Sequence, residues 1–439
     1  MPKEIIIIGA GPAGEAAAST IKRLDKSVNV TVIEKEFAGG LCLNKGCIPS
    51  KTLLEHVHKL SVRGQAVDWN ELQAIKSDVV TGIRSQLTAR LKREGVNFIQ
   101  GTAAFKDANS IEVHFEDKTE IFPFDKAIVT AGTGIFYPSP LDQHKKTLLN
   151  SDTMLQITET PKSIVVIGGG AVGCEFACLL NAAGSDVTLI EMTDDLLPGE
   201  DAAVVSALTQ SFEKRGIKVK TGNTVKDLKK TATGWDLTLS GGESLSVEQV
   251  LACVGRTPST QALQVEKAGI KLEKNRIQVD AHLRTSNPNI YAAGDVAGSR
   301  LAHHAAVQGE TAAANALGAS QVCDDRFVPR CLYSWPEVAS VGAWKYQLEQ
   351  EGKPVKAGRA FFVGSAKAIA AGENEGFVQI VSDPSSGKIL GAQIIGPHAT
   401  ELIHIISVAL KASMTTKDLS EVMFAHPTLS EIIKEAARK

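Results

Sequence analysis

Four consecutive isoleucines, Ile5 to Ile8, stand near the head of the chain with no polar residue between them. A short run that is apolar on both faces predicts a strand buried on both sides of a parallel sheet. "GAGPAGEAAASTIKRL" follows at once, giving three spaced glycines and an alanine-rich helical segment, and "VNVTVIEK" then supplies a second apolar strand. The same order returns in "KSIVVIGGGAVGCEFACLLNAAGSDVTLIEM". Between the repeats, residues 55 to 95 carry helical spacing, and residues 96 to 130 alternate like short strands ("IEVHF", "KAIVT") until "AGTGIFYPSP" breaks the pattern. A second break follows "VLACVGRTPST", and "TSNPNIYAAGDVAG" reads as a turn, a strand and an exposed Gly294–Asp295 step. From about residue 323, the strand-rich "GFVQIVSDPSSGKILGAQIIG" and the helices ending in "FAHPTLSEIIKEAARK" read as a separate α+β unit.

Each repeat has the parts of a dinucleotide cradle. Gly9 permits the tight turn, Gly11 lets the backbone approach a pyrophosphate, and Gly14 allows the helix to pack closely on the strand. The helix N-terminus then offers free N–H groups to the phosphates. Glu34, twenty residues beyond Gly14, ends the second strand where a carboxylate can accept hydrogen bonds from ribose hydroxyls. Gly168, Gly170, Gly173 and Glu191 repeat the set. Two cradles predict two dinucleotides, with a hydride or electron pair passing between them. Glu191 would repel a 2'-phosphate, and "EMTDDLLPGED" supplies acids where an NADP site wants arginine, so the second nucleotide is expected to be NAD(H).

Composition narrows the partners. With 439 residues and 43% hydrophobic content, the chain can bury about three cores at roughly 150 residues each. A net charge of -2 and a pI near 6.6 leave no excess positive charge for a nucleic-acid backbone. There is no basic leader with an apolar core and cleavage site, and no apolar run long enough to span a membrane, so a soluble cytoplasmic protein is expected. Seven cysteines, an odd number at low density, suit a reducing compartment where a disulfide serves chemistry rather than structure.

Cys42 and Cys47, in "GGLCLNKGCIPSKTLL", are the cysteines with the richest context. A zinc clip would need two more ligands, and no second paired cluster has suitable spacing. Spacing alone leaves three readings: inert buried thiols, a small structural bridge, or a redox-active disulfide. Cys174 and Cys178, four apart on a predicted helix, read as small core residues, and Cys253, Cys323 and Cys331 have no motif context. His56 and His58 point to different helix faces, and His303 and His304 read as packing and backbone positions. No metal site is expected.

Several independent strings, "GAGPAG", "GGLCLNKGCIPSKTLL", "GGGAVGCEFA", "VGRTP", "TSNPNIYAAGDV", "LAHHAAVQGE", "WPEVASVG" and "FAHPTLSE", give the chain a resemblance over essentially its whole length. It resembles the flavin-dependent pyridine nucleotide-disulfide oxidoreductases, most closely their dihydrolipoamide-oxidising branch. That resemblance implies an α/β fold of two Rossmann-like dinucleotide-binding domains plus a C-terminal α+β dimerisation domain. The corresponding segments are 1–150 for FAD, 151–270 for NAD, 271–322 completing the FAD site, and 323–439 for the interface. Gly9, Gly11, Gly14, Glu34 and Gly132 would bind FAD, Asp295 would hold its ribityl chain, and the backbone near Ala302 and His303 would face the ring. Gly168, Gly170, Gly173, Glu191 and Gly255 would serve NAD. Cys47 would be the charge-transfer thiol against the flavin and Cys42 the interchange thiol that meets substrate. Lys51 would approach the flavin's reactive edge and pair with Glu175. A helix N-terminus and the Lys51 cation both favour thiolate.

The implied reaction is oxidation of protein-bound or free dihydrolipoyl groups by NAD+, with His426 taking the thiol proton. Pro427 restricts His426, and Glu431 on a capped helix can fix its tautomer and raise its basicity. In the resembled family this dyad reaches the partner subunit's disulfide, which implies an obligate homodimer. Glutathione-type reductases want NADPH-binding arginines where this chain has acids, and mercuric reductases carry a C-terminal cysteine pair absent from "EAARK". A non-catalytic flavoprotein subunit is the reading from another class; it would have no use for both cysteines and His426. Leu41, where the family has threonine or valine, and "TAGTG" at 130–134 depart from the pattern near the flavin, and Lys45 adds a cation that either tunes the thiols or is simply solvated. The motifs leave the lipoyl carrier open.

Overall fold

The computed structural model describes residues 2–439, which divide into two compact units. The first takes the chain up to Leu53, then Asn70–Phe136 and Gly255–Asp325; the second takes Leu54–Trp69, Tyr137–Val254 and Arg326–Lys439.

The first unit opens with strand β1 (Glu4–Ile8), helix α1 (Pro12–Leu24) and strand β2 (Asn29–Glu34). Helices α2 (Gly40–Lys45), α3 (Cys47–Val62) and α4 (Trp69–Arg93) follow, then strand β3 (Asn97–Gln100). The sheet is parallel, in the spatial order Ile290–Ala292, Lys126–Val129, β1, β2, β3. Successive side chains of a strand face opposite sides, and β1 has a core on each. Ile5 and Ile7 join Ala13, Ala17 and Ile21 of α1, whereas Ile6 and Ile8 join Phe105, Ile111 and Val129. Each of these isoleucines contributes about 2–3 kcal/mol of burial, so the unbroken apolar run is what two-sided cover requires. Gly309, in the helix Ala302–Ala316, lies so near α1 that a Cβ there would stand 2.1 Å from the Ala13 carbonyl oxygen.

The second unit contains a parallel sheet in the order Lys218–Lys220, Asp186–Ile190, Ser163–Ile167, Gln249–Ala252, Leu149–Asn150. It also contains an antiparallel five-stranded sheet in the order Arg330–Leu332, Glu337–Gly342, Ile389–Gly396, Phe377–Ser382, Lys356–Phe361. The helices Ala399–Lys411 and Glu431–Arg438 share a core with this sheet, including Val341, Ile394, Ile403 and Ile433.

Two features differ from expectation. The chain leaves the first unit at Phe136 and re-enters it at Gly255, where Arg256–Pro258 pairs antiparallel with Thr133–Ile135. The Gly294–Asp295 step is not exposed. Gly294 is buried, with the methyls of Ala13 and Ala305 close to where its Cβ would stand, and Asp295 is half-buried because α1 and the helix Ala302–Ala316 converge there. No helix of the described residues is long and apolar enough to cross a membrane.

Candidate active site

The first glycine turn is shaped by steric necessity. Gly9 has φ +104°, and a Cβ there would lie 2.5 Å from the Thr130 carbonyl oxygen; one at Gly14 would lie 2.0 Å from the Gly9 oxygen. Gly11 caps α1 without a capping side chain, so no side chain claims the first-turn N–H groups. Glu34 is buried, and its Oε2 accepts from Ala10 N (2.8 Å) while Oε1 accepts from Glu36 N (2.9 Å). The Thr130 hydroxyl donates to the Ile8 and Gly9 carbonyls at 2.9 and 2.8 Å, tying the turn to the neighbouring strand.

The redox pair grows out of this turn. Gly39 N donates to the Ala10 carbonyl at 2.8 Å, and a Cβ at Gly40, which has φ +56°, would stand 2.6 Å from the Gly11 Cα. Only glycines permit that approach. Cys42 is the third residue of α2 and Cys47 begins α3; they form a disulfide with Cα atoms 4.7 Å apart. Cys42 lines a cleft of about 380 Å³, with Leu43, Ile48, Ile83, Leu87 and Arg90. Lys51 follows one turn after Cys47 on α3. Lys45 pairs with Glu36 at the surface, and that hydrogen bond holds the Glu36 carboxyl below its usual range.

Asp295 presents a half-buried carboxylate raised by desolvation, against which the Thr133 hydroxyl donates at 3.2 Å and Arg256 and Arg300 act electrostatically. Arg256 Nε in turn donates to Thr133 Oγ1 at 3.1 Å. Thr133, which touches Asp295, lies in the "TAGTG" stretch at 130–134, and Gly132 beside it has φ +67°. The helix Ala302–Ala316, which begins with Ala302 and His303, also lacks a capping side chain. Uncapped helix ends, a glycine cradle and a half-buried acceptor suited to hydroxyls fit a dinucleotide with a polyol arm. Gly9, Gly11, Gly14, Glu34 and Asp295 would hold FAD there.

The second cradle repeats the first. Gly168 has φ +108° and its Cβ would lie 2.4 Å from the Cys253 carbonyl oxygen; that of Gly173 would lie 1.8 Å from the Gly168 oxygen. Gly170 caps the helix Ala171–Ala182 without a side-chain bond. Glu191 accepts from Gly169 N at 2.6 Å through Oε2, and from Thr193 N and Oγ1, both at 2.9 Å, through Oε1. These residues fit the ribose and pyrophosphate of a second dinucleotide. Gly255 has φ +119° and lies in the first unit, where its carbonyl accepts from Phe136 N at 3.1 Å. Cys174 donates to the Gly169 carbonyl (3.3 Å) and Cys178 accepts from Trp335 N (3.3 Å); burial pushes the Cys178 thiol up to about 12.

Glu175 is buried on the helix Ala171–Ala182 and accepts from Tyr333 N at 3.1 Å through Oε1. His426 Nδ1 donates to Glu431 Oε1 at 3.0 Å, and Thr428 N donates to Glu431 Oε2 at 2.9 Å. These two bonds hold the Glu431 carboxyl below its usual range, with the Thr428 amide the larger cause. A carboxylate on Nδ1 leaves Nε2 as the proton acceptor, and the imidazole is 73% exposed. The helix Glu431–Arg438 is not capped as expected: Ser430 makes no capping bond, and Glu431 is held by the Thr428 amide and by His426 instead. The first unit thus carries Cys42, Cys47 and Lys51, and the second carries Glu175, His426 and Glu431. Thr193 and the docking of Gly39–Gly40 on the first turn have no signal in the sequence, because a serviceable hydroxyl and a docking glycine leave no spacing pattern.

Residues 3–309 match the pyridine nucleotide-disulphide oxidoreductase family, and residues 328–437 match its dimerisation domain. The chain belongs to the pyridine nucleotide-disulphide oxidoreductase family. It is 35% identical to a dihydrolipoyl dehydrogenase of Geobacillus stearothermophilus, covering 99% of this chain and 95% of that one. A Bacillus subtilis dihydrolipoyl dehydrogenase is 34% identical over 98% of this chain and 97% of its own length. Among solved structures, LpdA from Mycobacterium tuberculosis superposes with a TM-score of 0.93 at 28% identity, covering 99% of both chains. The disulphide in the family's name has its counterpart here in Cys42–Cys47.

Proposed function

We propose that this chain oxidises dihydrolipoyl groups, free or carried on a protein, with NAD+ as the final acceptor. The observation that carries this reading is the Cys42–Cys47 disulfide, which sits at the start of α3 and reaches the cleft through Cys42. Full-length similarity to enzymes named dihydrolipoyl dehydrogenase supports it. FAD and NAD(H) are the cofactors; when bound, they supply the chemistry that removes the electron pair from the reduced thiols.

The chain's own residues do the rest. One substrate thiol loses its proton to His426 Nε2, attacks Cys42 Sγ and displaces Cys47 as a thiolate. The positive end of α3 and the Lys51 ammonium stabilise that thiolate. His426 passes its proton to the departing Cys42 sulfur as the second substrate thiol attacks its own partner sulfur in the mixed disulfide, and it takes up the proton of that second thiol. The cyclic disulfide leaves behind Cys42 as a thiol, Cys47 as a thiolate and one proton on His426. Glu431 orients the imidazole and stabilises its charge. Glu191 would select NAD+ over NADP+. We further propose a cytoplasmic homodimer in which His426 of one protomer serves Cys42 of its partner; the match to a dimerisation domain supports this arrangement.

Two experiments test the reading. Cys42→Ser is expected to abolish NADH formation from free dihydrolipoamide while flavin content stays normal and the thiolate-to-flavin absorption from Cys47 remains. Near-normal turnover would sink the disulfide chemistry. Mixing inactive His426→Gln and Cys42→Ser proteins under subunit exchange should regenerate about half of wild-type activity per heterodimer, with one working site in each. No recovery with exchange demonstrated would sink the shared site.

A further inference from the structure

His304, Cys323 and Asp325 drew no chemistry from their sequence context, yet the fold of the first unit brings them together. Their ligand-type atoms all lie within 4.8 Å of one another. His304 Nε2 is 3.5 Å from Asp325 Oδ1 and 4.0 Å from Cys323 Sγ. The first separation is beyond a good hydrogen bond, and the second is at the outer limit for sulfur. Both are close to the edges of a tetrahedral cation site. Zn–N, Zn–S and Zn–O bonds of ordinary length subtend about 3.4 Å between nitrogen and oxygen and about 3.6 Å between nitrogen and sulfur.

The surroundings fix two of the three ligands. His304 lies in the first turn of the helix Ala302–Ala316, with a side chain only 14% exposed. Gln308, one turn on, accepts from Gly294 N through Oε1 at 2.9 Å, which turns its amide nitrogen toward His304 Nε2 at 3.3 Å. An amide donor there keeps the proton on Nδ1 and the lone pair on Nε2, and a cation would take that lone pair in place of the Gln308 amide. After the helix the chain doubles back. Buried Asn315 clamps that return, accepting from Gln321 N at 2.7 Å and donating to the Gln321 and His282 carbonyls, both at 2.9 Å. Cys323 is two residues past the clamp, and Asp325 closes the group from the solvent side with a side chain 65% exposed. One nitrogen, one sulfur and one oxygen ligand, with water access at the fourth position, make a donor set for a borderline cation rather than for Mg2+ or Ca2+.

We propose that His304, Cys323 and Asp325 bind one divalent cation of the zinc class per chain, through Nε2, Sγ and a carboxylate oxygen. Binding releases the thiol proton and ties the returning segment to the first turn of the helix. The site is separate from the Cys42–Cys47 pair in sequence and in chemistry, so it stands whether or not the proposed reaction does.

The test uses oxidised, FAD-loaded enzyme free of reductant, so that the closed disulfide cannot ligate. Titration with Co2+ should give saturable d–d absorption to the red of the flavin bands, with one Co2+ per chain, and Zn2+ should displace it. Cys323→Ser should lose the sulfur-to-cobalt charge-transfer band. Cys323→Ser and the exposed-site variant Asp325→Asn should each weaken Zn2+ affinity about tenfold or more, measured against a chromophoric chelator. Flavin content and near-UV circular dichroism establish that each variant is folded, and if His304→Ala fails to fold the other two decide. No saturable Co2+ binding by the wild-type enzyme, or variants that bind as the wild type does, would overturn the site.

Discussion

The two glycine cradles are nearly the same object built twice, and their differences lie in what backs them. Gly9 and Gly168 share φ values of +104° and +108°, and the third glycine of each, Gly14 or Gly173, sits against the first one's carbonyl. Glu34 and Glu191 each accept a backbone amide of their own loop. Behind the first cradle, Thr130 hydrogen-bonds the turn to its strand, and the helix Ala302–Ala316 presses Gly309 onto α1. Behind the second lies Cys253, and the first turn of its helix leaves Val172 45% exposed and nearby Met192 70% exposed. The same steric solution is thus tied down by different groups: the Thr130 hydroxyl at the first turn, and the Cys174 thiol and the Leu197 amide on the Gly169 carbonyl at the second.

Substitution at the paired third glycines gives the largest expected contrast. Gly14→Val should yield protein without flavin, whereas Gly173→Val should keep flavin absorbance and anaerobic reduction by dihydrolipoamide. NAD+-dependent turnover of Gly173→Val should fall at least 100-fold, about 2.7 kcal/mol in the barrier. Equal flavin loss in both would break the comparison. Next, Glu191→Arg should lower kcat/KM for NAD+ by about 10- to 100-fold and raise that for NADP+, with flavin content unchanged, because it exchanges repulsion of a 2'-phosphate for attraction. Unchanged nucleotide preference in steady-state kinetics would remove Glu191 from the selecting role. Thr130→Val, which deletes the hydroxyl tying down the first turn, should cost about 1–2 kcal/mol in denaturant unfolding, more than Cys253→Ala costs behind the second.

The smallest expected effect is one of pH. A thiol kept neutral by burial binds its proton more tightly when folded than when unfolded. Its stabilising contribution is therefore complete below the ordinary value of 9.0 and is lost as pH rises toward the folded value of about 12 for Cys178. The helix Ala171–Ala182 should thus lose roughly 1 kcal/mol between pH 8 and pH 10, and Cys178→Ala should flatten that slope in thermal unfolding. A slope unchanged by the substitution would remove Cys178 as its source.

The cradles are legible in the sequence because the first and third glycines of each, Gly9 and Gly14, Gly168 and Gly173, face a carbonyl oxygen about two ångströms from where a Cβ would stand. The same holds for β1, whose unbroken isoleucines match cores on both faces. What the sequence hid is long-range. Nothing local tells that Ile290–Ala292 pairs with Lys126–Val129, more than 150 positions earlier, so Gly294–Asp295 was expected at the surface. Thr133 read as a departure near the flavin, and only the pairing of its strand with Arg256–Pro258 makes it a partner of both Arg256 and Asp295. His304 and Cys323 are nineteen residues apart, and they meet only because Asn315 turns the chain back.

The contact between Gly40 and Gly11 bears on how the thiol pair is held. The helix that carries Cys42 starts from the same loop that would wrap the pyrophosphate, with no side chain between them to take up slack. A displacement of that loop would therefore carry the Cys42 helix with it, so the geometry of the thiol pair and the shape of the pyrophosphate loop are set together.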